Sequence, residues 1–195
     1  GRFNPEGKLA ESPSPLGGPA GPNYIPPVDF PFRVSDKVGE EYALLLTPDD
    51  LAPEIGATGD LKPKLVVALD PAAGATAWDY SDKVLEFKKA AVADARKRAE
   101  SHFGCSGTTI DLGDDSAGAL QQLMEANGLN SLVYYEPFVG PWKETVAGLS
   151  SRDVGVKFFP LRRSWDGLLF PHAAKGYFHF KKHVFPQIVR SKAKL

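Results

Sequence analysis

Residues 64–71 read KLVVALDP: five apolar residues in succession, opened by a lysine and closed by an Asp-Pro stop. A strand with one wet face alternates polar and apolar side chains. One that does not alternate is covered on both faces, the pattern of a parallel sheet between two layers of helix. Residues 42–47, YALLLT, repeat the pattern and end at Pro48. SLVYY (131–135) and GVKFFPL (155–161) are two further strands, and TTIDL (108–112) a shorter candidate.

Helical periods fall between the strands. Asp79 or Ser81 can cap a long helix with Asp82 in its first turn, and Val84, Phe87, Ala91, Ala95 and Ala99 recur at three-to-four spacing as its inner stripe. Lys88, Lys89, Arg96 and Lys97 fall mostly on the opposite side, and Gly104 stops the helix. SAGALQQLMEANG (116–128) reads as a helix capped by Ser116, with Leu120, Leu123 and Met124 inward, Gly128 as a left-handed stop and Leu129 packing behind it. PWKETVAGL (141–149) is a helix with Pro141 at its first position. The order strand, strand, helix, strand, helix, strand, helix, strand implies an α/β domain with a mostly parallel sheet and helices on both faces.

Residues 1–31 show neither period. Pro and Gly dominate, as in an extended linker that takes a fixed path only when a surface holds it. Phe3, Leu9, Leu16, Tyr24, Ile25 and Phe30 are the residues able to anchor such a tail on a partner. The chain divides into this tail, a folded domain over 42–188, and a short basic C-terminal tail over 189–195.

The net charge of −1 hides a split. Residues 152–195 hold 10 basic and 2 acidic groups, net +8, and residues 1–151 hold 13 and 22, net −9. The basic end suits an acidic protein partner, an anionic membrane surface, or the acidic half of the same chain. Cys105 is the only cysteine, so no internal disulfide forms, and a reducing compartment is compatible. It reads as a small buried residue. No apolar run reaches the length of a membrane-spanning helix.

Known chemistry-bearing motifs are absent. There is no GxGxxG, GxxxxGK[ST] or GxSxG, and Asp111, Asp114 and Asp115 suit a helix cap better than a calcium loop. In open α/β sheets ligands sit beyond the C-terminal ends of the strands. The loop after SLVYY is therefore the place for a cofactor, with Glu136 and Trp142 as its contacts. His172, His179 and His183 are spaced seven and four apart. His179 and His183 would share a helix face, but Gly176 and the following aromatic pair argue against a clean helix, and metal binding is not expected. Basic and aromatic residues interleave over 162–185, led by Arg162, Arg163, Trp165, Lys175, Lys181 and Lys182. That mixture can pair phosphates and stack bases of a nucleic acid, or pack as an aromatic edge with its lysines turned outward.

LRRSWDGLLF (161–170) followed by FPHAAKGYFHFKKHVFPQI (170–188) resembles the WD…WPHATKGFF tail of bacterial proteins of the photolyase/cryptochrome superfamily. ALLLTPDDLAPE (43–54), AVADARKRAESHFG (91–104) and YYEPFVGPWKETVAGL (134–149) are similar to further segments of that region. The likeness runs from Tyr42 to Ile188. It implies a photolyase-like α/β domain of Rossmann type, able in that superfamily to hold a flavin, deazaflavin or folate antenna. The catalytic flavin of the superfamily sits in a separate helical domain that also carries electron-transfer tryptophans. This chain has only Trp78, Trp142 and Trp165, so repair catalysis is not carried over.

The expectation is a non-catalytic accessory or scaffold subunit of a larger assembly. It would be tethered by its N-terminal tail and would contact partners through Arg162, Arg163, Trp165, His172, Lys175, Lys181 and Lys182. An organelle is its expected location, a chloroplast photosystem assembly in particular, with Gly1 following removal of an import peptide. A light-related chromophore or nucleotide module, and a nucleic-acid-binding domain, are the alternatives.

Overall fold

A computed structural model describes residues 38–55, 61–72, 80–111, 115–152, 155–163, 166, 169, 172 and 176–192, side chains excepted at 116 and 187–192. Five strands form one sheet: β1 (Ala43–Leu46), β2 (Leu65–Leu69), β3 (Ser106–Ile110), β4 (Ser131–Tyr135) and β5 (Lys157–Leu161). Helices α1 (Asp82–Phe103), α2 (Ser116–Ala126) and α3 (Pro141–Ser150) alternate with them, and α4 (Tyr177–Lys192) follows β5. Every neighbouring pair is parallel, in the order β3-β2-β1-β4-β5. This is a Rossmann-like α/β sheet. The chain leaves β3 at one edge and returns beside β1 as β4, so the order reverses between β1 and β4.

The run of apolar residues in β1 and β2 supplies both faces. Leu44, Leu46, Val66 and Ala68 point to one side with Val92, Ala95 and Ala99 of α1. Ala43, Leu45, Leu65, Val67 and Leu69 point to the other, with Leu120 and Met124 of α2 and Trp142 and Val146 of α3. Each strand thus feeds two cores, and a one-residue slip would exchange them. The edge strands are half-buried. Pro160 lies exposed in β5, where an edge tolerates a residue with no N–H to give.

The local punctuation follows the sequence, with adjustments. Gly104 ends α1 in the left-handed region, its N–H bonding Glu100 O at 2.9 Å. After α2, Gly128 has φ 66°, and the Leu129 N–H reaches back to Met124 O at 2.9 Å while its side chain enters the core. Asp115, not Ser116, caps α2: its Oδ1 accepts from the Gly118 N–H at 3.0 Å. In α1 the inner stripe is Val92, Ala95 and Ala99. Val84 and Phe87, expected on it, are exposed, because the first two turns of the helix lie largely in solvent. The third strand is Ser106–Ile110, two residues earlier than its sequence pattern suggests, because pairing with β2 sets its register. Cys105 is half-buried against the α1 core, and burial raises its thiol pKa. Among the described residues no helix is long and apolar enough to cross a membrane.

The largest departure from the sequence reading is α4. Tyr177 to Lys192 is helical even with Pro186 inside it, because Gly176, at φ 81°, precedes the helix rather than interrupting it. Only Val184 of its described side chains is buried; His179 and Phe180 are half-buried. Phe178 is 85% exposed, Tyr177 65% and Phe185 57%, so the aromatic run is not an edge packed on the sheet.

Candidate functional site

The reversal of strand order brings three chain segments to one place. The turn after β1, the loop after β4 and the residues after β5 enclose a pocket of about 330 Å³. Thr47, Asp49, Asp50, Tyr135, Glu136, Pro137, Phe138, Val139, Leu161, Arg162, Arg163 and Asp166 line it. Such a crevice at the C-terminal ends of parallel strands, between crossovers running opposite ways, is where this kind of sheet binds ligands.

Two ion pairs build the walls. Arg163 grips Asp50 with both terminal nitrogens, Nη2 donating to Oδ1 at 2.8 Å. It also donates from Nε to Ile55 O at 3.0 Å and from Nη2 to Ala52 O at 3.1 Å, and its guanidinium lies 4.2 Å from the Tyr135 ring centre. This one side chain fixes the whole turn after β1. Arg162 donates from Nε to Glu136 Oε2 at 2.7 Å, its Nη2 forms an ion pair with the same oxygen at 2.5 Å, and its guanidinium lies over the Phe138 ring at 5.2 Å. Its side chain is only 5% exposed.

Burial sets the electrostatics. It pushes the carboxyls of Asp49, Glu136 and Asp166 above their ordinary values, against the pull of Lys88 on Asp49, Lys143 on Glu136 and Arg163 on Asp166. Burial also drives the Tyr135 phenol up to about 12, as it does that of neighbouring Tyr134. The Thr47 hydroxyl is fully buried at the end of β1 and has no hydrogen-bond partner among the described residues. An unsatisfied buried hydroxyl costs free energy, and a ligand reaching it would recover that cost.

Glu136 therefore lines the pocket, as the position of its loop suggested. Trp142 does not: it is buried in the core between α3 and the sheet, because Pro141 starts the helix and turns the next side chain inward. Arg162 and Arg163, read as a basic surface for partners, are wall residues of the pocket, each held by a carboxylate. Lys181 and Lys182 are exposed on α4. His172 stacks on His183 with centroids 5.4 Å apart, and His179 lies 4.3 Å from His183, so the three histidines gather where α4 meets the preceding segment. Among the described residues no group of three or more His, Cys, Asp or Glu is arranged to hold a metal ion. Trp165, Lys175 and the tail anchors Phe3, Leu9, Leu16, Tyr24, Ile25 and Phe30 lie outside the described residues.

Asp50, Thr47 and Asp166 escape the sequence reading. Nothing in TPDD marks Asp50 as the partner of an arginine 113 positions later. The one available signal was the rule that strand ends converge at the reversal of order, applied to β1 and β5 as well as to β4.

Fold and pocket together define a Rossmann-like α/β domain with a crevice at its topological switch point. No protein-family model matches the chain, and no curated protein is similar enough to it to count as a relative.

Proposed function

We propose that this chain is a non-catalytic, photolyase-like accessory subunit that docks onto an acidic protein surface of a larger assembly through α4. One observation carries the reading: the outer face of α4 pairs exposed aromatic rings with lysines. Phe178 and Phe185 stand two turns apart on one face, with Lys181 and Lys182 between them, and residues 177–192 contain no acidic side chain. Exposed large rings rimmed by like charge mark an interaction surface. A protein fits better than a lipid surface, because a membrane-lying helix needs its broad apolar face outward, and here Val184 and Phe180 face the domain. The N-terminal tail, with its anchors from Phe3 to Phe30, is the second tether in this reading.

The test is co-purification of the full-length chain, wild type against a Phe178→Asp/Phe185→Asp double variant and a chain lacking residues 1–30. Acidic chains that travel with the wild type and are lost from the double variant support docking. Retention of the same chains by the double variant overturns it. So does flotation of the purified wild type on phosphatidylserine vesicles with no co-purifying protein, which points to the membrane instead.

A second reading, a small-molecule module, is favoured by the pocket and by the unsatisfied hydroxyl of Thr47, one of its lining residues. Mass spectrometry of small molecules released from the native protein, with its visible spectrum, tests for a flavin, deazaflavin, folate or nucleotide. In either reading the location, an organelle included, follows from the partner.

A further inference from the structure

We infer that the pocket is built for a small organic cation rich in hydrogen-bond donors, and against phosphate or carboxylate ligands. The inference rests on the small-molecule reading and narrows it. Four carboxylates, Asp49, Asp50, Glu136 and Asp166, line the pocket against two guanidiniums, Arg162 and Arg163. Arginines are the usual clamps for an anion, but each already holds a carboxylate: Arg163 holds Asp50 and two backbone carbonyls, and Arg162 holds Glu136 through Nε and Nη2. An incoming phosphate would have to displace a carboxylate from an arginine and then sit beside it.

The helix following β4 offers little more. A helix N-terminus holds phosphate through free N–H groups and its positive dipole end. That of α3 begins with Pro141, which has no N–H, and carries Glu144 in its first turn. The N–H groups of Lys143 and Glu144 already bond Gly140 O, at 3.1 and 3.5 Å. Lys88 and Lys143 act on Asp49 and Glu136 but are not lining residues.

A donor-rich cation meets none of these obstacles. Asp49 and Asp166, outside the two wall pairs, would accept from its charged end, and the Thr47 hydroxyl would take or give one further hydrogen bond. Tyr135, Phe138 and Val139 contribute apolar lining for the rest of the molecule. The volume suits a ring with a short side arm.

Three probes of one shape separate charge from fit: tyramine, its neutral alcohol tyrosol, and its anionic counterpart 4-hydroxyphenylacetate, with AMP and FMN as phosphate ligands. Binding to the full chain is followed by amide chemical shifts and calorimetry. The expected order is tyramine first, tyrosol about tenfold weaker, and no saturable binding of the three anions. Asp49→Asn/Asp166→Asn should weaken tyramine about tenfold or more while leaving tyrosol within threefold. Thr47→Val, which keeps the shape, should weaken both. Saturable binding of AMP or FMN in preference to tyramine overturns the cationic class but keeps the small-molecule module. Failure of all five probes overturns both. Shifts confined to α4 rather than Thr47, Glu136 and Val139 would place any binding elsewhere and overturn the assignment of the site.

Discussion

Replacing Arg163 by methionine removes the side chain that holds the turn after β1 to the end of β5. The fork to Asp50 is lost, together with the bonds to Ile55 O and Ala52 O and the contact over Tyr135. The side chains of Arg163 and Asp50 are only 16% and 18% exposed, so the carboxylate left behind is poorly solvated. Breaking a buried pair from one side costs about 3–5 kcal/mol. The residual exposure moves the expectation to the lower end, about 3 kcal/mol, a large share of the roughly 5–15 kcal/mol that holds a domain folded. In urea, with a slope of about 2 kcal/mol per M, the midpoint should fall by about 1.5 M. Arg163→Lys should recover less than half of this, because an ammonium keeps the charge but cannot reproduce the planar fork. The decisive measurement is the double-mutant cycle with Asp50→Leu. Removing both partners no longer strands a charge, so the double variant should be more stable than Arg163→Met alone, with a coupling of about 2 kcal/mol. Strictly additive losses, or a midpoint shift for Arg163→Met within about 0.3 M of zero, would refute the claim that this pair clamps the pocket wall.

Three further outcomes follow from the geometry. Asp115→Ala removes the side-chain acceptor for the Gly118 N–H, and thermal or urea unfolding should show a loss of about 1 kcal/mol, whereas Ser116→Ala should change stability far less. Folding raises the phenols of Tyr134 and Tyr135 from 10.0 to about 12, so the native state holds those protons more tightly than the unfolded chain. Stability from this source is constant below pH 10 and falls between pH 10 and 12. Ultraviolet titration should show two phenols ionising near pH 12, and Tyr134→Phe/Tyr135→Phe should remove them and flatten the alkaline loss of stability. Phe178→Asp/Phe185→Asp should leave the urea midpoint nearly unchanged, because both rings are exposed; a large destabilisation would mean that they pack within the domain rather than against a partner.

Much of the fold is legible along the chain because its signals are local. Successive apolar residues in KLVVALDP and YALLLT can be buried only between two layers, and that excludes a one-faced sheet. Gly128 with Leu129 behind it, and Pro141 at a helix start, each set a boundary through the backbone of a few neighbouring residues. The stripe of α1 was misread at Val84 and Phe87 because periodicity shows which residues share a face, not how far along the helix that face is covered. Gly176 was misread as a break inside a helix when it lies just before one, since a residue with positive φ serves either place.

The sequence by itself determined the class of sheet, the alternation of helices and the end of the sheet at which to look for a crevice, because strand burial and backbone punctuation depend on residues close in the chain. The tertiary structure decided what the site is made of. The order β3-β2-β1-β4-β5 places Asp50 against Arg163 and Glu136 against Arg162 across separations of 113 and 26 residues. Counted along the chain, those arginines belonged to a basic terminus. Folded, their charge is taken up by carboxylates in the pocket wall, and among the described residues the lysines of α4 carry basic charge outward. Which side chain neutralises which depends on the meeting of distant strand ends, and that is set by strand order rather than by any local pattern.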